Sequence, residues 1–144
     1  MVNTIEAIKH PISRLILKNS IAIFLVNLLA SVLYWYYSIW WFDMPMHFWG
    51  GAWVLFMLIY IKYLFFKKDF SVNIVDTIKN YYFIFFMVLV VCVGWEVFEY
   101  IVNEYTNALI MSPLDSISDI FFGVSGALFA WLFLLKKKYI ALVS

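Results

Sequence analysis

Three pairs of polar residues in this 144-residue chain are spaced to share a helical face, and together they carry groups that bind cations and move protons. Asp43 and His47 are four apart, Glu96 and Glu99 three apart, and Asp115 and Asp119 four apart; residues at those spacings are neighbours on an α-helix. Carboxylates with one imidazole suit a divalent cation such as Mg²⁺, Mn²⁺ or Zn²⁺, which could activate water or grip a phosphate. The same groups could also work without metal, with a Glu and His47 acting as acid and base or as a proton relay. The residue types leave both routes open. The Glu-x-x-His pairs of di-iron bundles do not occur in the chain, which disfavours that class. His47, Glu96, Glu99 and Asp119 are the candidate catalytic residues, and Asp43 and Asp115 join them as candidate metal ligands. Asp43 and Asp115 are explained equally well as helix N-caps, and His47 could instead hydrogen-bond a neighbouring helix.

Apolar helices must position these groups. Hydrophobic residues make up 66% of the chain and charged residues 13%, and the mean hydropathy is +0.92, far outside the range of soluble domains. Apolar runs over 19–40, 46–66, 80–103 and 113–135 each approach or exceed the ~20 residues needed to cross a hydrocarbon core. The expected fold is therefore an all-α membrane protein, a four-transmembrane-helix bundle forming a single domain. Residues 4–16 place Ile5, Ile8, Ile12, Leu15 and Ile16 three or four apart with Lys9 and Arg14 between them. That pattern predicts a short N-terminal interfacial helix within the segment 1–18, with 136–144 as a tail. His10 falls in this segment, where a solvated or lipid-facing role is expected. The first apolar run continues into Tyr34-Trp35-Tyr36-Tyr37 without a small-residue cleavage site, so it is expected to be an anchor. Ser112-Pro113-Leu114-Asp115 combines a capping Ser, a Pro at the first helical position and an acid three residues on, the signature of a helix start.

Charge is distributed by side. All ten Lys and Arg fall in the N-terminal segment, the 62–79 connection and Lys136 to Lys138, whereas Asp43, Glu96, Glu99, Glu104, Asp115 and Asp119 cluster at the opposite ends of the apolar runs. Basic segments stay in the cytoplasm, so a cytoplasmic (inner) membrane protein with both termini cytoplasmic is expected. The acids are then left at the outer face without a Lys or Arg partner. Glu96 lies only about five residues, or roughly 7–8 Å, from the middle of its run, where an ionised side chain costs about 2.5–3.5 kcal/mol or more. Such a cluster needs protons, a bound cation or a water-filled cavity. The stripes below the acids are small: Gly50 and Gly51 follow His47, and Gly123, Gly126, Ala127 and Ala130 follow Asp119. Small residues let membrane helices approach closely, so these faces are expected to point inward and bring His47, Glu96 and Asp119 into one pocket. Cys92 is the only cysteine, which excludes an intrachain disulfide, and in its apolar setting an inert thiol is expected. No basic patch for nucleic acid is present.

The ordered pieces Asp43-Met-Pro-Met-His47-Phe-Trp-Gly-Gly51, Trp95-Glu96-Val-Phe-Glu99 and Asp115-Ser-Ile-Ser-Asp119-Ile-Phe-Phe-Gly123 resemble the VanZ-like small bacterial membrane proteins, and more closely their YjdF-like relatives, over about residues 40–130. The VanZ-like pattern has Lys after the first Asp, Gln as the second member of the Glu pair, a basic residue in the following outer loop and Asn before the Gly. Here Met44 and Glu99 take two of those places, the loop has no Lys or Arg, and Asp119 stands for Asn. The site is thus more acidic, which favours the YjdF-like branch. The resemblance implies the four-span scaffold and the polar site more than a reaction.

Composition, spacing and resemblance together lead to the expectation of a protein that binds or enzymatically processes a cell-envelope molecule, a membrane lipid or lipid-linked species, at its outer face. The rivals are a proton- or cation-coupled channel or carrier, for which four short spans would call for a homo-oligomer, and a non-catalytic assembly partner for another membrane protein.

Overall fold

In a computed structural model of the chain, described over residues 11–66, 74–106 and 112–136, every regular element is helical. The order is α1 (Pro11–Val32), the single turn α2 (Trp35–Ser38), α3 (Asp43–Phe66), α4 (Ile74–Thr106) and α5 (Pro113–Lys136). Four helices are long and apolar enough to cross a membrane, over Ser13–Val32, Asp43–Lys62, Tyr81–Tyr105 and Pro113–Leu134. In lipid a helix satisfies its own backbone hydrogen bonds, which is why apolar runs of this length fold so. Residues 1–10, which carry most of the expected interfacial helix, and 137–144, most of the expected tail, lie outside the described residues. Among the described residues α1 begins at Pro11, whose ring is tolerated in a first turn.

The first apolar run, expected as one span over 19–40, is divided. α1 ends at Val32, Tyr34 adopts a left-handed conformation with φ 56° and ψ 32°, and α2 then makes one turn. The left-handed residue interrupts the helix, and aromatic packing follows it: Phe42 stacks edge-on against Trp35 at 5.4 Å and Tyr36 at 5.1 Å between ring centroids. At the start of α5 Ser112 caps the helix as its sequence suggests, accepting from the Asp115 backbone N–H with its hydroxyl at 3.1 Å.

α3 is the central helix. It packs most extensively on α5 and also meets α1 and α4, while α4 also packs on α5. Leu55 and Ile59 of α3, Ile84 and Val88 of α4, and Ala127 and Trp131 of α5 form the buried core. Glycine lets α3 and α5 touch backbone to backbone. A Cβ on Gly51 would strike the Gly123 carbonyl, and one on Gly126 would strike the Phe48 carbonyl. α1 is pinned to α3 by two hydrogen bonds, the Trp49 indole donating to Asn19 Oδ1 and the Trp53 indole to Ser20 Oγ, each at 2.9 Å. Leu28 of α1, Phe86 and Val97 of α4, and Phe121 of α5 are exposed, as side chains facing lipid are.

Candidate functional site

His47 sits one turn into α3, and the close α3–α5 approach brings it against acids from two other helices. Its Nε2 lies 3.4 Å from Asp43 Oδ1, one turn earlier on the same helix, and 3.8 Å from Asp119 Oδ2 on α5. Its Nδ1 lies 3.8 Å from Glu96 Oε1 on α4. Both ring nitrogens therefore face carboxylates. The donor atoms of Asp43, His47 and Asp119 all lie within 4.8 Å of one another, as do those of His47, Glu96 and Glu99. Either set has the atoms and spacing to hold a metal ion.

Burial grades across the cluster. The side chain of Asp119 is 3% exposed and that of Glu96 8%, against 12% for His47 and 39% for Asp43. Ser116 lies within hydrogen-bonding reach of the Glu96 carboxylate and Trp95 within reach of that of Glu99. Glu96 Oε2 is nonetheless buried without a hydrogen-bond partner. A buried carboxylate oxygen without a partner is expensive.

A cavity of about 460 Å³ adjoins the cluster where α1, α3 and α4 face one another. Its wall is mostly apolar, with Phe24, Met46, Val54 and Val91 among its surfaces, and Asp43, His47 and Glu99 form its charged end. Glu96 and Asp119 sit behind His47, off the cavity surface. Gly50 opens onto this cavity, and a Cβ there would meet nothing within 4 Å. That differs from the expected stripe in which Gly50 and Gly51 both make helix contacts. Adjacent residues point about 100° apart on a helix, so only Gly51 reaches α5. Cys92, half-buried, lines the cavity one turn below Glu96 and packs beside Gly123.

The remaining sequence candidates fall at the edge. Asp115 is exposed in the first turn of α5, with its backbone in the Ser112 cap and its carboxylate outside both donor sets. Glu104 is exposed within the last turn of α4, which runs to Thr106, three residues past the end of the apolar run at Asn103. Charge-led reading missed a polar ladder on α1, where Asn19, Ser20 and Asn27 turn toward α3 and the cavity. Asn27 Oδ1 accepts from the Tyr36 hydroxyl, and Ser20 and Asn27 both line the cavity. Their near-heptad spacing on an otherwise apolar helix, with Trp49 and Trp53 four apart on α3, was the available signal. Tyr36 lies beyond the end of the first span. Burial, then the nearby Asp43 and Glu99 carboxylates, pushes its phenol from 10.0 up to about 12.

Fold and site together define a helical membrane protein with four candidate spans and a buried imidazole–carboxylate cluster. Within that class, the chain belongs to the family described as predicted membrane protein DUF2238, which it matches over residues 7–138. Comparison with curated proteins and with solved structures returns no match.

Proposed function

We propose that this protein binds an amphipathic envelope molecule, a lipid or lipid-linked species, with its apolar chain in the α1–α3–α4 cavity and its polar head against Asp43, His47 and Glu99. The observation that carries this reading is the cavity itself, about 460 Å³ with mostly apolar walls and three ionisable side chains at one end. Ligand sites are of this kind, apolar surfaces with a few convergent polar groups. Ionised carboxylates only accept hydrogen bonds, so the complementary head is one that donates, carrying hydroxyl or amine groups. His47 beside several carboxylates would supply acid–base chemistry on that head if the protein processes what it binds. By the side bias of Lys and Arg, the site faces outward across the cytoplasmic membrane.

The placement of carboxylates on both ring nitrogens of His47 also suits a proton- or cation-coupled carrier. Against that reading, the opposite half of the bundle is filled by Leu55, Ile59, Ile84, Val88 and Trp131. A path for charge through one chain would have to cross this packed apolar layer.

The test is lipid retention. Native mass spectrometry of the protein released from mild detergent is expected to show one amphipath bound per chain. Gly50→Leu, which grows a side chain into the cavity where a Cβ meets nothing, is expected to lose it without loss of helicity. A parent protein that carries none, or a Gly50→Leu variant that retains the same complement, contradicts the reading.

A further inference from the structure

We infer that His47 Nδ1, Glu96 and Glu99 hold one divalent transition-metal ion, with Asp43 orienting the imidazole from the opposite side of the ring. The inference rests on the reading above in taking this cluster as the working site, and it names the group at the site's centre. The donor atoms of the three ligands lie within 4.8 Å of one another. Atoms bound to one ion at about 2.1 Å each sit roughly 3–3.5 Å apart, so the 3.8 Å between Nδ1 and Glu96 Oε1 closes by about half an ångström on binding.

Two further observations point to the same place. Asp43 lies one helical turn before His47 and hydrogen-bonds the Nε2 side of the ring at 3.4 Å. In the neutral tautomer that keeps its proton on that side, Nδ1 presents its lone pair to the Glu96 carboxylate, and two acceptors face each other. On that carboxylate Oε2 is buried and unpartnered, in a side chain only 8% exposed. A cation between them satisfies all of these atoms at once. A carboxylate on the outer nitrogen of a metal-bound His is the usual supporting contact, since it fixes the tautomer and the ring orientation.

The donor set chooses the ion. One imidazole nitrogen with carboxylates suits Zn²⁺ or Mn²⁺, whereas Ca²⁺ and Mg²⁺ favour all-oxygen shells. Two ionised glutamates balance a dication, so the ligand shell itself carries no net charge at a depth where bare carboxylates are costly, with Asp43 and Asp119 on the opposite edge of the ring. His47 and Glu99 both line the cavity, which leaves a coordination position open toward the head of whatever lies there. Three protein ligands with one open position is the arrangement of catalytic rather than purely structural zinc.

The experiment titrates chelator-treated, delipidated full-length protein in detergent with Zn²⁺ and with Mn²⁺ by calorimetry, with metal content measured after desalting. One equivalent per chain is expected. His47→Gln and Glu96→Gln are expected to weaken it by more than about 100-fold, and Asp43→Asn by about 10–100-fold, the range for an outer-sphere partner. Should Glu96→Gln not fold, Glu99→Gln, at the more exposed ligand, takes its place with the same expected loss. Failure of both metals to bind stoichiometrically, or binding unchanged in the Gln variants, overturns the inference and leaves a second proton on His47 as the answer to the facing acceptors. Lipid retention is scored separately on metal-free protein, so the cavity reading and the metal reading fail independently.

Discussion

His47 is the residue on which the site turns, because a flat ring with two nitrogens reaches helices that never share a sequence neighbourhood. Asp43 touches one edge from its own helix, Asp119 the same edge from α5, and Glu96 the other edge from α4. The i,i+4 partner was legible in the sequence, since helical spacing dictates it. The choice of partner for each nitrogen was not, because that depends on how far α3 and α5 slide into contact at Gly51 and Gly123. Tyr36 gives this region a measurable signature. Buried beside Asp43 and Glu99, its phenol keeps its proton up to about pH 12 and donates to Asn27 Oδ1. Its folded pKa is above the ordinary value, so its contribution to stability is complete below about pH 10 and is lost as pH climbs through about 12. In the ultraviolet difference titration between the parent and Tyr36→Phe, the tyrosinate step is expected near pH 12. A step at the ordinary tyrosine value contradicts the burial of Tyr36 among carboxylates.

The close approach of α3 to α5 is made at glycine, as small residues allow where lipid offers no hydrophobic drive between helices. The contrast between neighbouring glycines makes the point testable. At Gly51 and Gly126 a Cβ would run into the backbone of the opposing helix, which cannot rotate away, whereas at Gly50 it enters open space. Gly51→Ala and Gly126→Ala are expected to destabilise the fold by at least about 3 kcal/mol, the upper end of ordinary overpacking. Gly50→Ala is expected to be neutral, or to stabilise by up to about 1 kcal/mol through helix propensity. Thermal unfolding in detergent, followed by circular dichroism, reads all three. Equal melting temperatures for Gly50→Ala and Gly51→Ala would place the α3–α5 contact elsewhere. The sequence supplied the stripe and its inward direction, but adjacent glycines look alike in sequence and only the crossing angle of α3 on α5 tells them apart. The four apolar runs and the Ser112 cap were equally legible. The break after Val32 was not, because Leu33-Tyr34-Trp35 contains no Gly, Pro or Asn to announce a left-handed residue and reads as more of the same aromatic helix.

At the scale of the whole molecule the bundle divides into two halves with opposite physics. One half is packed with Leu55, Ile59, Ile84, Val88 and Trp131 and holds the helices together. The other gathers Asp43, Glu96, Glu99 and Asp119 around one imidazole beside a cavity, an arrangement that stores negative charge where the membrane makes charge expensive. Stability alone does not call for such a cluster. The central claim is that these acids are kept for a ligand at a cost to the empty fold, and thermal unfolding of metal-free, delipidated Glu96→Gln and Asp119→Asn measures that cost most directly. Each substitution preserves shape and removes one negative charge from a site with a surplus, so both variants are predicted to melt at or above the temperature of the parent. If both instead melt lower, by the equivalent of about 1–3 kcal/mol expected for a broken buried hydrogen-bond network, the carboxylates are structural and the ligand-binding account is contradicted.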